Sequence, residues 1–295
     1  MHLLIEAIGF GVASGAVLAL GAVGFTLQFG ISNVLNITYG SLMTLAAFLG
    51  VFLLGLGLNV WLVMALGGLL IGLASVALNR GLLAPLMRRG LQPFGLIIVT
   101  VSAGIVIQYV IVAVAGPSTL SYGNLSGATL HFLGWTLTTA QVVILVVALV
   151  LMAGLHVLLT RTQLGRAMRA TSSNRTLARS CGIATGRIGD IAWFLSGTFC
   201  GMAGIALAIT IESFDFTLGS IFLIPIIAAA VLGGVGQPYG AMVGGLVVGI
   251  VSQVSAAYWS PSYENVVALA MLIVMLLVRP RGLFGANSSS RKLLA

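Results

Sequence analysis

The stretch from residue 141 to residue 190 decides the fold. It reads QVVILVVALVLMAGLHVLL (141–159) followed by TRTQLGRAMRATSSNRTLARSCGIATGRIGD (160–190). The first part carries no Asp, Glu, Lys or Arg and is long enough to cross a hydrocarbon core as an α-helix. The second part carries six arginines and one acidic residue. An uncharged run that ends in a basic loop is typical of a membrane-spanning helix and its connection.

The same alternation continues over the chain, which has 295 residues, 59% of them apolar and 6% charged. Soluble domains carry about 25% charged residues. Because lipid cannot pair backbone groups, long uninterrupted apolar runs are helices. The pattern predicts an all-α, polytopic membrane helical bundle of about 8–9 transmembrane helices, as a single domain over 1–295 with a disordered tail at 286–295. The predicted spans are 8–29, 37–57, 60–78, 93–115, 141–159, 191–210, 218–234, 240–258 and 263–278.

Two reversals in this scheme, near Ser32 and Gln237, are open to a second interpretation as re-entrant segments. Glycines four residues apart also recur in the predicted spans and favour close helix contact. They occur at Gly11 and Gly15, Gly68 and Gly72, Gly197 and Gly201, and Gly245 and Gly249.

The basic residues, which give a net charge of +8, all fall in three connections. These are Arg80, Arg88 and Arg89; Arg161, Arg166, Arg169, Arg175, Arg179 and Arg187; and Arg279, Arg281, Arg291 and Lys292. Nine crossings place all three on one side, and the positive-inside rule makes that side cytoplasmic. We therefore expect a multi-pass protein of the inner or plasma membrane with its N-terminus outside and its C-terminus in the cytoplasm. The distribution indicates topology and argues against nucleic-acid binding.

The loop at 160–190 is longer than a simple connection and has the pattern of two short helices, Leu164–Thr171 and Arg175–Cys181. Asn174 is the expected N-cap of the second helix, and Gly182 is the expected glycine after its C-terminus. Leu177, Ala178 and Cys181 share one face of that helix. Such a face suits docking into a groove of another protein, and the alternative is a loop that rests on anionic lipid.

Polar residues within or beside the spans are candidates for lining a solute pathway. They are Asn33, Asn36, Thr38, Ser102 and Gln108. The alternative for each is a hydrogen bond between helices, typically worth about 0.6 kcal/mol. No Asp, Glu, Lys or Arg lies in the middle of a predicted span, so the sequence lacks the group that an ion-coupled transporter usually needs. We expect no cofactor and no metal, because His2, His131 and His156 are far apart.

Several segments carry a family resemblance. The segment TRTQLGRAMRATSSNRTLARSCGI (160–183) resembles the cytoplasmic coupling loop of ABC-importer permeases and, more narrowly, that of the branched-chain amino-acid permease family. The matching positions are Thr162, Gly165, Arg166, Ala167, Arg169, Ala170, Asn174, Ala178, Gly182 and Ile183. Segments 15–48, 98–110, 228–249 and 278–285 are also similar to that family. Tyr39 and Ser41 depart from its pattern, where His and an acidic residue are usual.

The resemblance implies a permease that carries no nucleotide site and is not itself an enzyme. Its partners would be a homologous second permease chain or a second copy of itself, two ABC ATPase subunits, and an extracytoplasmic solute-binding protein. The residues implied in ATPase coupling are Gly165, Arg166, Arg169, Asn174, Ala178 and Gly182, and we expect Ala178 to enter the ATPase groove from an exposed helix face. The expected function is ATP-driven import of branched-chain amino acids or a related small polar solute. The alternative is a stand-alone secondary transporter or channel.

Overall fold

The computed structural model describes residues 2–123, 129–132, 135–211, 213–279 and 282–284. These residues form twelve α-helices and four short strands. The helices are α1 (His2–Ser32), α2 (Thr38–Gly55), α3 (Val60–Leu78), α4 (Ala84–Arg88), α5 (Pro93–Ala115), α6 (Thr139–Arg161), α7 (Gln163–Ser173), α8 (Arg175–Ser180), α9 (Thr185–Ile211), α10 (Leu218–Gly233), α11 (Pro238–Tyr258) and α12 (Glu264–Val278). The strands are β1 (Leu120–Ser121), β2 (Thr129–Phe132), β3 (Trp135–Thr138) and β4 (Ser213–Phe214). The predicted tail at 286–295 lies outside the described residues.

The predicted helical membrane bundle is confirmed. Within the described residues, eight helices are long and apolar enough to cross a membrane. The third of them continues from α3 through a π-helical turn at Asn79–Leu83 into α4. The seventh predicted span, 218–234, corresponds to α10, which has 16 residues and contains Pro225. At 1.5 Å per residue α10 is about 24 Å long, which is shorter than a typical hydrocarbon core.

At one end of the bundle, which we call the basic end, α1, α3 and α10 end and α9 begins. Arg80 after α3 forms an ion pair with Asp190 in α9, with an Nη2–Oδ2 distance of 2.8 Å. Gly30 near the end of α1 lies against Gly236 in the α10–α11 turn. The end of the described chain returns to this turn, where the Leu283 amide donates to the Leu232 carbonyl at 2.8 Å. The described parts of all three basic stretches therefore share one end, as the sequence predicts.

The turn near Gln237 is a full reversal. α10 and α11 run antiparallel on either side of it, since Gly233 lies against Gly240 and Ala229 lies against Gly244. The preceding residues of α10 lead back to β4 at the other end of the bundle. The chain therefore reverses its direction completely at this turn.

Close helix pairs use the predicted glycine spacing. α1 packs along α11 and α3 packs along α9. A Cβ atom added at Gly249 would overlap the backbone of Gly15, and one added at Gly201 would lie 2.9 Å from the Cα atom of Gly68. Because the helix backbones touch at these positions, a larger residue forces the helices apart.

The opposite end, which we call the strand end, holds structure that the sequence reading missed. β1 pairs with β4, and β2 pairs with β3, both antiparallel. The Tyr122 hydroxyl donates to the Ala47 carbonyl at 2.7 Å and so ties this end to α2. Burial raises the pKa of the Tyr122 hydroxyl, which keeps it a donor. These strands are two to four residues long, too short for a periodic signal, and they leave the all-α class unchanged.

Candidate functional site

The first candidate site is the loop between α6 and α9, whose two helices are held by local contacts. The Thr162 hydroxyl accepts from the Gly165 amide at 3.0 Å and caps α7. The Arg169 guanidinium donates to the Leu159 carbonyl at the end of α6. A Cβ atom at Gly165 would overlap the carbonyl oxygens of Leu158 and Leu159. The corner between α6 and α7 therefore depends on a glycine and on an arginine that binds backbone.

The caps predicted for the second helix are confirmed. The Asn174 side chain accepts from the Leu177 amide at 3.0 Å, as an N-cap does. Gly182 has φ of +82°, and the Ile183 amide donates to the Ala178 carbonyl at 3.0 Å. This is the Schellman arrangement, in which a left-handed residue lets the chain satisfy the last helical carbonyls. α8 is thus a short helix with both ends fixed.

The face of α8 that is available to a partner differs from the predicted one. Ala178 is only 4% exposed, whereas Leu177 is 61% exposed and Cys181 is also exposed. The expectation that Ala178 lies on an exposed face is wrong, because its side chain is buried within the chain itself. Arg166 is exposed on α7. Leu177 is therefore the apolar side chain that α8 presents outward.

The second candidate site is a break between α1 and α2 that lies inside the bundle. Asn33 adopts φ of +55°, and its amide donates to the Phe29 carbonyl at 2.8 Å, which ends α1. The chain then turns through four residues and α2 begins at Thr38, which is fully buried. The Thr38 hydroxyl donates to the Thr100 carbonyl at 2.6 Å. Because Thr100 lies seven residues into α5, α2 starts about 10 Å inside the bundle.

A buried polar cluster surrounds this break and joins three helices. The Gln28 Oε1 atom accepts from Asn36 Nδ2 at 3.3 Å and from Ser196 Oγ at 3.1 Å. The Cys200 thiol of α9 donates to the Tyr39 carbonyl at 3.2 Å. Gln28 Nε2 and Asn36 Oδ1 are buried and have no hydrogen-bond partner within the described chain. Unpaired buried polar atoms are uncommon and point to a functional or hydrated position.

The five predicted pathway residues do not converge. Asn33, Asn36 and Thr38 lie at the break, whereas Ser102 lies on the exposed face of α5 and Gln108 is half-buried. Ser102 shares its face with Tyr109, which is 66% exposed and seven residues further along the same helix. The sequence reading missed Gln28, Thr100 and Ser196, although each is a polar residue within an apolar run. Over the described residues, no three His, Cys, Asp or Glu side chains lie together as metal ligands.

Comparison with known proteins shows similarity along almost the whole chain. The family model described as "Branched-chain amino acid transport system / permease component" matches residues 7–276. The chain is 29% identical to the high-affinity branched-chain amino acid transport system permease protein LivH of Salmonella typhimurium, over 93% of each chain. It is 30% identical to the probable branched-chain amino acid transport permease protein LivH of Methanocaldococcus jannaschii, over 94% of this chain and 91% of that one.

A solved structure shares the fold. It is PsaBC from Streptococcus pneumoniae in complex with Fab, which superimposes with a TM-score of 0.53 over 96% of this chain and 94% of that chain. The sequence identity is 13%. This similarity supports the arrangement of the helices and carries no information on the transported solute.

Proposed function

The chain belongs to the permease-component family of branched-chain amino acid transport systems, and from this membership we propose that it is the transmembrane permease subunit of an ATP-driven importer. The solute is a branched-chain amino acid or a related small polar solute, as the names of its relatives indicate. The observation that carries the proposal is the capped helix pair α7–α8, held rigidly at the basic end of a bundle whose family is one of transport permeases.

ATP hydrolysis belongs to separate ATPase subunits that dock on this helix pair. Leu177 gives the docking surface an exposed apolar side chain, and the exposed Arg166 of α7 matches an acidic side chain on a partner. No charged residue lies in the middle of a predicted span, where an ion-coupled transporter usually needs one. This sequence therefore fits a transporter that takes its energy from a separate subunit. Further partners are a homologous second permease chain, or a second copy of this one, and an extracytoplasmic binding protein that delivers the solute.

Contiguous contacts connect the docking surface with the helix break. The Ile183 amide fixes the end of α8, and α9 begins two residues later at Thr185. Along α9, Ser196 binds Gln28 and Cys200 binds the Tyr39 carbonyl. A tilt of α8 imposed by an ATPase would therefore move α9 and, with it, the polar cluster. Asn33, Asn36 and Thr38 are the pathway residues within reach of that motion. Ser102 and Gln108 stay predictions, since they lie on α5 apart from this cluster.

The basic end faces the cytoplasm in this proposal, with the N-terminus outside and the C-terminus inside. The support is the gathering of the described basic stretches at one end of the bundle, together with the positive-inside rule. Docking of an ATPase requires the same orientation.

The test is reconstitution of the chain in proteoliposomes with ABC ATPases, a second permease of the family and a solute-binding protein from the same organism. Uptake of radiolabelled leucine should require all partners and internal ATP. The chain reconstituted alone should not transport. Leucine uptake by the chain alone, driven by an ion gradient or by the concentration gradient of leucine, would establish a secondary transporter or channel in place of the proposed permease.

A further inference from the structure

A cleft of about 1030 Å³ opens at the basic end, between the π-turn and α4 on one side and α8 with the start of α9 on the other. Its size matches the upper range of small-molecule sites, about 300–1,000 Å³. Four arginines line it, and they come from both walls: Arg80 and Arg88 from one, Arg175 and Arg179 from the other. The pathway and docking residues discussed above do not lie in this cleft.

The charge in the cleft is largely uncompensated. Asp190 is its acidic residue, and this carboxylate already binds Arg80 and accepts from Asn79 Nδ2 at 3.0 Å. Within the described part of the chain, Arg88, Arg175 and Arg179 have no carboxylate partner. Three guanidinium groups around one cavity favour a ligand with several anionic oxygens, which guanidinium binds in bidentate fashion.

With Val60, the first residue of α3, set at the far edge of the hydrocarbon core, the length of the helix puts the cleft at the near boundary between hydrocarbon and headgroups. Arg80 lies 20 residues beyond Val60, about 30 Å along a continuous helix, and that length equals the thickness of a hydrocarbon core. Arg88 lies about 12 Å further, within the headgroup layer. Ile31, Met87 and Ile183 add apolar surface to the same cleft. A cavity with cationic walls and apolar surface at this level matches a phospholipid headgroup and the start of its acyl chains.

The docking surface for an ATPase is on the opposite side of α8. Arg175 and Arg179 each lie two positions from Leu177, which is about 160° around the helix at 3.6 residues per turn. Leu177 can therefore contact a protein from outside while the two arginines face the cleft. We propose that this cleft binds the headgroup of an anionic phospholipid and that the bound lipid braces α8 against α4.

The experiment measures lipid binding to the purified full-length chain without any partner subunit, so it is independent of the proposed transport function. The chain is titrated with phosphatidylglycerol, with phosphatidylcholine and with inorganic phosphate, and bound molecules are counted by native mass spectrometry. Phosphatidylglycerol should bind more tightly than phosphatidylcholine, and inorganic phosphate should not displace it.

The arginines of the cleft are tested against a matched pair. R175Q/R179Q should weaken phosphatidylglycerol binding by about thirtyfold, since a basic residue near the surface contributes roughly fivefold. R161Q/R187Q removes the same charge from the same loop outside the cleft and should leave binding unchanged. R88Q changes the opposite wall and should weaken binding roughly fivefold, which provides a second variant if the double variant does not fold.

Three results would overturn the proposal. Equal loss in the two double variants would show a diffuse charge effect. Equal binding of phosphatidylcholine would show that the headgroup charge is not recognised. Binding of inorganic phosphate that matches phosphatidylglycerol would show that the cleft takes a free anion and not a lipid.

Discussion

At the scale of single residues, Gly165 and Arg169 act inside the chain. The Arg169 guanidinium binds the Leu159 carbonyl, and Gly165 lies where a side chain would overlap two carbonyl oxygens. Both were expected to serve ATPase coupling, and the structure gives each of them a role in holding the α6–α7 corner. Their part in coupling stays a prediction, and this geometry supports an indirect one, through the position of α7.

Gly165→Ala should destabilise this corner, because the added methyl group forces α7 away from the end of α6. Overpacking of this kind costs about 1–3 kcal/mol, which lowers Tm by roughly 2–10 °C in a protein of this size. Gly154→Ala in α6 is the matched control, since open space surrounds the position of its Cβ atom. Thermal unfolding in detergent measures both. A Tm for Gly165→Ala equal to that of Gly154→Ala would contradict the packing argument.

Asn36→Leu should reduce solute uptake while the complex still assembles. The hydrogen bond to Gln28 contributes little to folding in a membrane, about 0.6 kcal/mol, whereas the polar cluster loses one of its two amides. Gln108→Leu should also reduce uptake without loss of assembly. Ser75→Ala removes a buried hydroxyl in α3 that has no hydrogen-bond partner among the described residues, and it is the control for loss of a buried polar group. Wild-type uptake in both leucine variants would refute the pathway role.

At the scale of elements, α8 has two ends fixed by its own sequence and two faces with different surroundings. Leu177 faces outward, and Ala178 is buried. Ala178→Trp would therefore disrupt the loop itself and cannot report on docking alone. Substitution of Leu177 tests docking with the fold intact.

Leu177→Ala should weaken association with the ATPase subunits by about tenfold or more, as truncation of an apolar interface anchor does. Alanine favours helix, so α8 is retained. Ser180→Ala changes another exposed residue of the same helix and should leave association unchanged. Co-purification of the ATPases and the affinity by titration measure the effect. If the two variants associate equally well, the Leu177 face is not the docking surface.

At the scale of the whole molecule, the two cysteines allow a test of how the chain is oriented in the membrane. Cys181 is exposed at the basic end, and Cys200 is buried in α9. A membrane-impermeant maleimide should label Cys181 in inside-out vesicles and leave it unlabelled in intact spheroplasts. Cys181→Ser should abolish the signal, because Cys200 is inaccessible. Ser262→Cys in that background places a thiol on an exposed turn at the other end and should show the reverse pattern. Labelling of Cys181 in spheroplasts would invert the proposed topology.

The spans, the sharing of one end by the basic stretches and the caps of α8 could be predicted from the sequence by itself. Each depends on a local property. An apolar run long enough to span lipid is a helix wherever it packs. Asn174 and Gly182 act on backbone groups within a few residues of themselves. The family could also be recognised from its motifs, and residues 7–276 match its model.

Tertiary structure alone decided the burial of Ala178, the partner of Arg169, the cluster around Gln28 and the cleft of four arginines. Gln28 and Ser196 are 168 positions apart and meet because α1 packs on α9. The cleft likewise needs the close approach of α4 and α8. Composition and periodicity indicate which segments are helices, but they do not determine which helix faces meet. That depends on the fit of surfaces distant in the chain, and the candidate sites lie where those surfaces meet.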